Sequence, residues 1–307
     1  MNPTRLAGVL APVVTPFASD LSPDPGRYVR HCRWLLAGGC SGLAPFGTTS
    51  EANSLSVDER MVLLEQLVQG GVPASSLMPG TGMCALTDSV RLTRHALALG
   101  CAGVLMLPPF YYKGVTDEGL YRSFAEVIER TGDSRLQLYL YHIPPMAQVG
   151  IPIALIERLI ARYPGTVAGI KDSSGDWNNT RSLLDAFANS EFDIFVGSEI
   201  FLLQNLSAGG VGCITANANV NPAAIDRLYR NWRSADAGRM QDEVSATRGA
   251  LQQYPMIAAL KAAIAHYAGD PGWATVRPPL VELTASQSSA LIAGLSSRGF
   301  DMPGILA

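Results

Sequence analysis

The sequence lacks the features that mark several classes of protein. The 307 residues carry a formal net charge of −3, and no run of lysine and arginine suggests a nucleic-acid partner. No window reaches the ~18 uninterrupted apolar residues of a membrane span. The N-terminus shows no charged start followed by an apolar stretch and a cleavage site. We therefore expect a cytoplasmic protein that contacts neither nucleic acid nor membranes.

Cysteine and histidine are few, and their spacing offers no metal site. The five cysteines include no CxxC pair, and none lies beside a histidine at metal-ligand spacing. We interpret the cysteines as small buried hydrophobic residues in a reducing compartment, and we expect no metal. The residues concerned are Cys32, Cys40, Cys84, Cys101 and Cys213, with His31, His95, His142 and His266.

Charge is scarce, whereas apolar residues are abundant. Charged residues make up 16% of the chain and hydrophobic residues 48%, which is ample for the core of one large α/β domain or of two ordinary domains. A chain this apolar is expected to cover part of its surface in an oligomer.

Short apolar runs alternate with segments that have apolar residues at helical spacing. Eight strands alternating with helices predict a parallel sheet, and eight is the number that closes a (β/α)8 TIM barrel. A doubly wound open sheet is the alternative, but the GxGxxG turn that would favour it, or a dinucleotide-dependent dehydrogenase, is missing. The strand runs are 7–14, 42–46, 77–80, 103–107, 136–142, 167–171, 194–197 and 211–215. The helical segments are 28–36, 57–69, 87–99, 117–130, 153–162, 177–188 and 200–208.

The pattern changes after Val220, where helical segments follow one another without strands. They are predicted at 222–232, 235–254, 256–267 and 284–297. The eighth strand accounts for only one of them. We expect a barrel over residues 1–220, followed over 221–307 by its last helix and a C-terminal helical extension without a separate catalytic role.

Lys171 ends the sixth apolar run and is followed at once by a polar turn. Strand alternation places Ala168 and Ile170 on one face of that strand and Lys171 on the other. In the preceding run, the same alternation directs Tyr139 and Tyr141 into the barrel. Lys171 and Tyr141 are thus predicted to meet at the carboxyl ends of adjacent strands, where barrel enzymes keep their active sites.

A lysine in that position can act as a nucleophile. Its amine attacks a carbonyl only when neutral, and burial among apolar residues favours the neutral form. A nearby tyrosine can return the proton that the leaving hydroxyl needs. The resulting iminium acts as an electron sink, so neither a metal nor an organic cofactor is required. The plainer interpretation is an exposed lysine at the end of a strand.

Two other segments offer candidate site residues. Thr48 and Thr49 lie in a turn after the second strand, where hydroxyls and backbone N–H groups can cradle a carboxylate. Tyr111 and Tyr112 follow the fourth strand. The plainer interpretation of Thr48 and Thr49 is an ordinary polar turn. The plainer interpretation of the two tyrosines is an aromatic surface at a subunit contact, which is compatible with a role in the site.

Six short motifs in order resemble the dihydrodipicolinate synthase / N-acetylneuraminate lyase family, over about residues 6–280. The resemblance implies a (β/α)8 barrel with a helical extension, usually a homotetramer. It also implies class I aldolase chemistry through a Schiff base with pyruvate or another 2-oxo acid, and an aldehyde as the other partner. The motifs are Thr-Pro-Phe at 15–17, Gly-Thr-Thr-Ser-Glu at 47–51, Phe-Tyr-Tyr at 110–112 with Glu-Gly-Leu-Tyr at 118–121, Tyr-His-Ile-Pro at 141–144, Gly-Ile-Lys-Asp at 169–172 and Gly-Gly-Val-Gly-Cys-Ile at 209–214.

The resemblance also implies roles for individual residues. Lys171 matches the Schiff-base lysine, and Tyr141 matches the tyrosine that shuttles protons. Thr48 matches the hydroxyl that links Tyr141 to a second tyrosine from a neighbouring subunit; ungapped counting puts that tyrosine at Tyr112, with Tyr111 the alternative. Thr48 and Thr49 match the residues that bind the carboxylate of the 2-oxo acid, and Gly197 and Ile214 match residues that line the pocket.

The chain departs from the family where the second substrate binds. Synthases that condense pyruvate with aspartate semialdehyde carry an arginine where this chain has Met146, and a thioether cannot hold a carboxylate through two hydrogen bonds. This argues against a true dihydrodipicolinate synthase. Ser173, Glu199 and Thr215 occupy positions that vary with substrate, so the pocket also suits a 2-keto-3-deoxy sugar acid or a related 2-oxo acid.

Three functions remain open. The first is a Schiff-base lyase or aldolase, and the second is dihydrodipicolinate synthase itself. The third is a catalytically silent protein that binds 2-oxo acids.

Overall fold

The computed structural model describes residues 5–305, and its centre is one parallel sheet. Seven strands pair in the order β2-β1-β7-β6-β5-β4-β3. Nearly all strand residues are buried, as expected when helices cover the outside of a parallel sheet. The strands are β1 (Gly8–Ala11), β2 (Gly42–Leu43), β3 (Val104–Met106), β4 (Leu138–His142), β5 (Val167–Asp172), β6 (Asp193–Val196) and β7 (Gly212–Ile214).

The segment 77–80 closes the ring between β2 and β3. Leu77 bridges Leu43, and Gly80 bridges Leu105, both in parallel. The predicted third strand is reduced to these two bridges because Pro79, between them, has no N–H to donate. The closed (β/α)8 TIM barrel is thus confirmed, and the open doubly wound sheet is wrong.

Helices follow the strands close to the predicted positions. α2 begins at Ser56 with a capping box, in which the Ser56 hydroxyl accepts the Glu59 N–H and the Glu59 carboxylate accepts the Ser56 N–H. The segment predicted as one helix at 200–208 is instead a 3₁₀ turn, Glu199–Phe201, followed by α8. The helices up to this point are α1 (Pro25–Ala37), α2 (Val57–Gln69), α3 (Leu86–Ala98), α4 (Asp117–Thr131), α5 (Pro144–Ala147), α6 (Ile153–Arg162), α7 (Trp177–Ala186) and α8 (Leu202–Ser207).

The C-terminal part is helical and has its own apolar cluster, which includes Val220, Leu251, Leu260 and Leu291. The predicted limits at residues 1 and 307 lie outside the described residues. Among residues 5–305, no helix combines the length and the hydropathy needed to cross a membrane. The helices are α9 (Pro222–Arg230), α10 (Ala237–Leu251), α11 (Met256–Tyr267) and α12 (Ala285–Ser296).

The predicted side-chain alternation is confirmed on β4 and partly wrong on β5. Tyr139 and Tyr141 belong to the apolar cluster inside the barrel, while Ile170 packs in the outer cluster against the helices. Ala168, predicted on the same face as Ile170, belongs to the inner cluster. The β4–β5 register shifts by one residue beside it. Such a bulge changes which face a residue occupies.

Candidate active site

Lys171 and Tyr141 are paired neighbours at the carboxyl ends of β5 and β4. Lys171 is only 4% exposed, so the interpretation as an exposed strand-end lysine is wrong. Its Nζ lies 4.2 Å from the centroid of the Tyr141 ring. Among residues 5–305, Lys171 forms no ion pair, whereas the buried Lys261 pairs with Glu51. The structure therefore holds an uncompensated amine against a tyrosine at the end of the barrel used for catalysis.

The Tyr141 hydroxyl in turn meets the loop that follows β2. It lies 3.2 Å from Thr48 Oγ1, at hydrogen-bonding distance. The loop is held in place by Ser50, whose Oγ accepts the Gly47 N–H at 3.2 Å. The Ser50 carbonyl accepts a hydrogen bond from Thr15 Oγ1 at 2.7 Å. Three separate segments thus place a lysine, a tyrosine and a threonine in a connected row.

A cavity of about 620 Å³ opens over this row. A volume of this size suits a small organic substrate. Its wall includes eight of the site residues predicted from the sequence: Thr48, Thr49, Tyr141, Met146, Lys171, Ser173, Gly197 and Ile214. Tyr111, Tyr112, Glu199 and Thr215 are not among the lining residues.

Tyr111 and Tyr112 lie elsewhere, on the loop between β3 and α4. They are 73% and 68% exposed, and their rings contact each other edge to face at 5.5 Å. Neither side chain lines the cavity of its own chain. A role for Tyr112 or Tyr111 in a neighbouring subunit's site remains a prediction.

Close packing shapes the side of the cavity between β5 and β6. A Cβ on Gly197 would lie 2.0 Å from Ser173 Oγ, so only glycine fits there. The adjacent Asp172 carboxylate accepts the Ser174 N–H at 2.9 Å, the Asn179 amide at 3.0 Å and the Thr180 hydroxyl at 2.6 Å. Asp172 therefore anchors the turn after Lys171.

His142 lies on the other face of β4 and does not line the cavity. Its Nδ1 accepts the Ile151 N–H at 3.0 Å. Burial lowers the pKa of His142, although the Asp172 carboxylate opposes that shift. His142 therefore holds the neighbouring segment in place from behind the strand.

An arginine from the C-terminal extension also lines the cavity. Arg248 Nη1 lies 2.9 Å from Glu199 Oε2, and the fully buried Glu199 also accepts a hydrogen bond from Thr215. Sequence reasoning singled out Glu199 and Thr215 but missed Arg248, because nothing in the helical pattern of α10 marks that position. The extension also supplies Met256, Leu280 and Val281 to the wall.

A second buried network holds the loop of Thr48 and Thr49 from behind. Glu51 has a left-handed backbone, with φ of 55°, and its carboxylate accepts hydrogen bonds from Lys261 Nζ and, at 2.9 Å, from the Arg277 N–H. Lys261 also donates to the Thr275 carbonyl at 2.8 Å. Burial, which outweighs the attraction of Glu51, lowers the pKa of Lys261 to about 8. The sequence signal that could have identified this network is the charge of Lys261 within the apolar run of α11.

No group of three or more histidine, cysteine, aspartate or glutamate side chains within residues 5–305 is arranged to hold a metal ion. The side chains that line the cavity offer an amine, a phenol, hydroxyls, a carboxylate and a guanidinium. A closed parallel barrel with a buried lysine beside a tyrosine at the carboxyl ends of its strands is an arrangement suited to an enzyme that acts on carbonyl compounds.

The chain belongs to the dihydrodipicolinate synthetase family, whose model matches residues 5–297. It is 33% identical to an uncharacterized DapA-like lyase of Chloroflexus aurantiacus, over 93% of this chain and 95% of that protein. It is 31% identical to the 4-hydroxy-tetrahydrodipicolinate synthase of Gluconacetobacter diazotrophicus, over 97% and 99% of the two chains. The structure of YagE, a family member from Escherichia coli in complex with pyruvate, superposes with a TM-score of 0.87, at 25% identity over 96% and 99%. The protein is a lyase of the aldolase type.

Proposed function

We propose that Lys171 forms a Schiff base with pyruvate or another 2-oxo acid, and that the enzyme then forms or breaks a carbon–carbon bond. The observation that carries this proposal is the burial of the Lys171 amine, 4% exposed, over the Tyr141 ring at 4.2 Å. The match to a family structure in complex with pyruvate supports the choice of ligand. The geometry brings this amine to the cavity, where it can reach the carbonyl carbon of a ketone.

The neighbouring hydroxyls supply the other groups that this reaction needs. Thr48 and Thr49 face the cavity from one loop and suit the carboxylate of the 2-oxo acid. Attack of the amine on C2 gives a carbinolamine, which loses water to form the iminium. Tyr141 would give a proton to the departing hydroxyl and recover one through Thr48 Oγ1, which is 3.2 Å away.

A complete proton relay would need a further tyrosine. We place it in a neighbouring subunit of a homotetramer, with Tyr112 as the first choice and Tyr111 as the second. The strong exposure of both rings on an isolated chain supports this arrangement, because large aromatic side chains on a surface mark contact sites.

Dihydrodipicolinate synthase activity is the alternative, favoured by the similarity to the Gluconacetobacter enzyme. Met146 argues against it, because this side chain lines the cavity without offering a charge to the carboxylate of aspartate semialdehyde. Consumption of aspartate semialdehyde in a coupled assay would establish the alternative.

Borohydride reduction in the presence of pyruvate tests the Schiff base directly. We expect mass spectrometry to find one pyruvyl adduct per chain, on the peptide that contains Lys171, and Lys171→Ala to abolish both the adduct and turnover. No adduct, or an adduct that survives in Lys171→Ala, would refute the mechanism. Pyruvate that raises the melting temperature without any adduct would indicate a silent binding protein instead.

A further inference from the structure

We propose that the second substrate is an aldehyde with an apolar alkyl or aryl body, which binds against an apolar wall at the mouth of the cavity. This inference rests on the proposed function, because it takes the Lys171 enamine as the nucleophile. The wall comprises six side chains: Ile143, Met146, Phe201, Met256, Leu280 and Val281.

The outer part of this wall is unusual because it is both apolar and open to solvent. Met146 is 65% exposed, Val281 71% and Leu280 37%. Large apolar side chains gathered at one opening imply something apolar that covers them. Since the same cavity contains Lys171, we assign this covering group to the substrate.

The wall combines distant parts of the chain. Met146 follows β4, Phe201 follows β6, and Met256 begins α11. The apolar wall is therefore a property of the cavity and does not come from one strand or helix. Methionine side chains at two of these positions can adapt to irregular apolar shapes.

The charged side chains around the cavity other than Lys171 already have polar partners, which argues against a second anionic group on the substrate. Arg248 is paired with Glu199 at 2.9 Å. The Asp172 carboxylate accepts three hydrogen bonds from its own turn. Among the residues between 5 and 305 that line this cavity, the charged ones are Arg248, Asp172 and Lys171. A carboxylate on the aldehyde would therefore compete with Glu199 for the guanidinium.

A polyhydroxylated aldehyde fits this wall less well. Every hydroxyl moved out of water needs a hydrogen-bonding partner, or the complex loses the energy of that bond. An apolar body instead gains from leaving water. This apolar wall thus favours an apolar aldehyde body over the polyhydroxylated body of the sugar acid that the sequence left open.

The reaction balances with no further reactant. The Lys171 iminium of pyruvate loses a methyl proton to give an enamine. The enamine carbon then bonds to the aldehyde carbon, whose oxygen takes up a proton. Water releases a 4-hydroxy-2-oxo acid with the apolar body on C4 and restores the amine of Lys171. Cleavage is the exact reverse, and every atom of pyruvate and aldehyde is kept in the product.

The experiment compares three acceptors with the full-length protein and pyruvate: benzaldehyde, glyceraldehyde and aspartate semialdehyde. Product formation is followed by mass spectrometry, and borohydride trapping of the pyruvyl adduct is measured first. We expect kcat/KM for benzaldehyde to exceed the other two values by about 10-fold to 200-fold, the range that apolar pockets provide. Equal or better use of glyceraldehyde or aspartate semialdehyde overturns the proposal. An adduct with no turnover of benzaldehyde also overturns it while leaving the Schiff base intact, whereas a missing adduct removes both proposals.

A matched pair of variants tests the wall itself. Met146→Gln has nearly the same shape but is polar, and we expect it to lower the benzaldehyde-to-glyceraldehyde ratio of kcat/KM by about tenfold. Met146→Leu keeps the apolar character and should hold that ratio within about threefold. The ratio is informative because a general loss of folded protein lowers both rates equally. An unchanged ratio in Met146→Gln would show that the wall does not contact the aldehyde.

Discussion

Removal of the Lys261 charge should destabilise the protein strongly. Lys261 and Glu51 are both fully buried side chains, and Glu51 would be left without its cation in Lys261→Met. A buried pair that loses one partner costs about 3–5 kcal/mol, because an uncompensated charge stays in the interior. The unfolding entropy of a 307-residue chain is about 0.6 kcal/mol/K. The melting temperature should therefore fall by about 5–8 °C.

A double variant separates the charge from the packing. Glu51→Gln removes the carboxylate charge but keeps an oxygen able to accept the Arg277 N–H, now 2.9 Å from Glu51 Oε2. Combined with Lys261→Met, it leaves no ion at either position of this pair. We expect the double variant to regain more than half of the stability lost in Lys261→Met, because neutral replacements of buried pairs are often tolerated.

The assay is urea unfolding followed by circular dichroism, with calorimetry for the melting temperatures. The apparent KM for pyruvate should also rise in Lys261→Met, because Glu51 follows directly the loop that carries Thr48 and Thr49. The reasoning would be refuted if the double variant were no more stable than Lys261→Met. It would also be refuted if Lys261→Met lost less than about 1 kcal/mol of unfolding free energy.

Two further predictions concern a buried histidine and the exposed tyrosines. Burial lowers the pKa of His31 from 6.5 to about 4. Between pH 6.5 and pH 4, the unfolded protein therefore binds more protons at His31 than the folded protein does. The stability that His31 contributes is present above pH 6.5 and is lost as the pH falls towards 4. The free energy of unfolding, measured with urea, should fall between about pH 7.5 and about pH 5 by about 2 kcal/mol more than it does in His31→Phe. Equal losses in the two proteins would show that His31 does not cause this pH dependence. If Tyr112 is the relay group, Tyr112→Phe should lower kcat by about a hundredfold, while Tyr111→Phe has little effect. Native mass spectrometry should show that both variants are still oligomers. The reverse pattern of kcat values would assign the role to Tyr111.

The barrel and the pairing of Tyr141 with Lys171 follow from local patterns in the sequence. Strand alternation was sufficient to direct both side chains to the inner face of the barrel, because side chains on a strand change face at every residue. The turns that follow both residues placed them at the carboxyl ends of their strands. Ala168 was misplaced because a bulge changes that count, and bulges have no clear sequence signal here. The bridges at Leu77 and Gly80 in place of a full strand follow from Pro79, a signal that was available.

The cavity wall could not be predicted in the same way, because it depends on long-range packing. Arg248, Met256 and Val281 come from a segment whose helical pattern shows only that it is amphipathic or buried. Its contact with the mouth of the barrel follows from how the extension packs, which no local period encodes. Lys261 lies behind the site and was not singled out from the sequence. One charge in an apolar helix is a signal for a buried partner, although the sequence does not identify Glu51 as that partner.

The position of these two sets of residues separates the shared chemistry from the choice of substrate. Lys171 and Tyr141 lie on strands of the closed barrel, which can shift little without breaking strand pairing. Met256, Leu280 and Val281 lie on the extension, where side chains can change without disturbing that pairing. The Lys261–Glu51 pair joins the extension to the turn beside Thr48 and Thr49. A change in the extension should therefore alter the proposed choice of acceptor while the proposed imine chemistry persists, provided that this buried pair is kept.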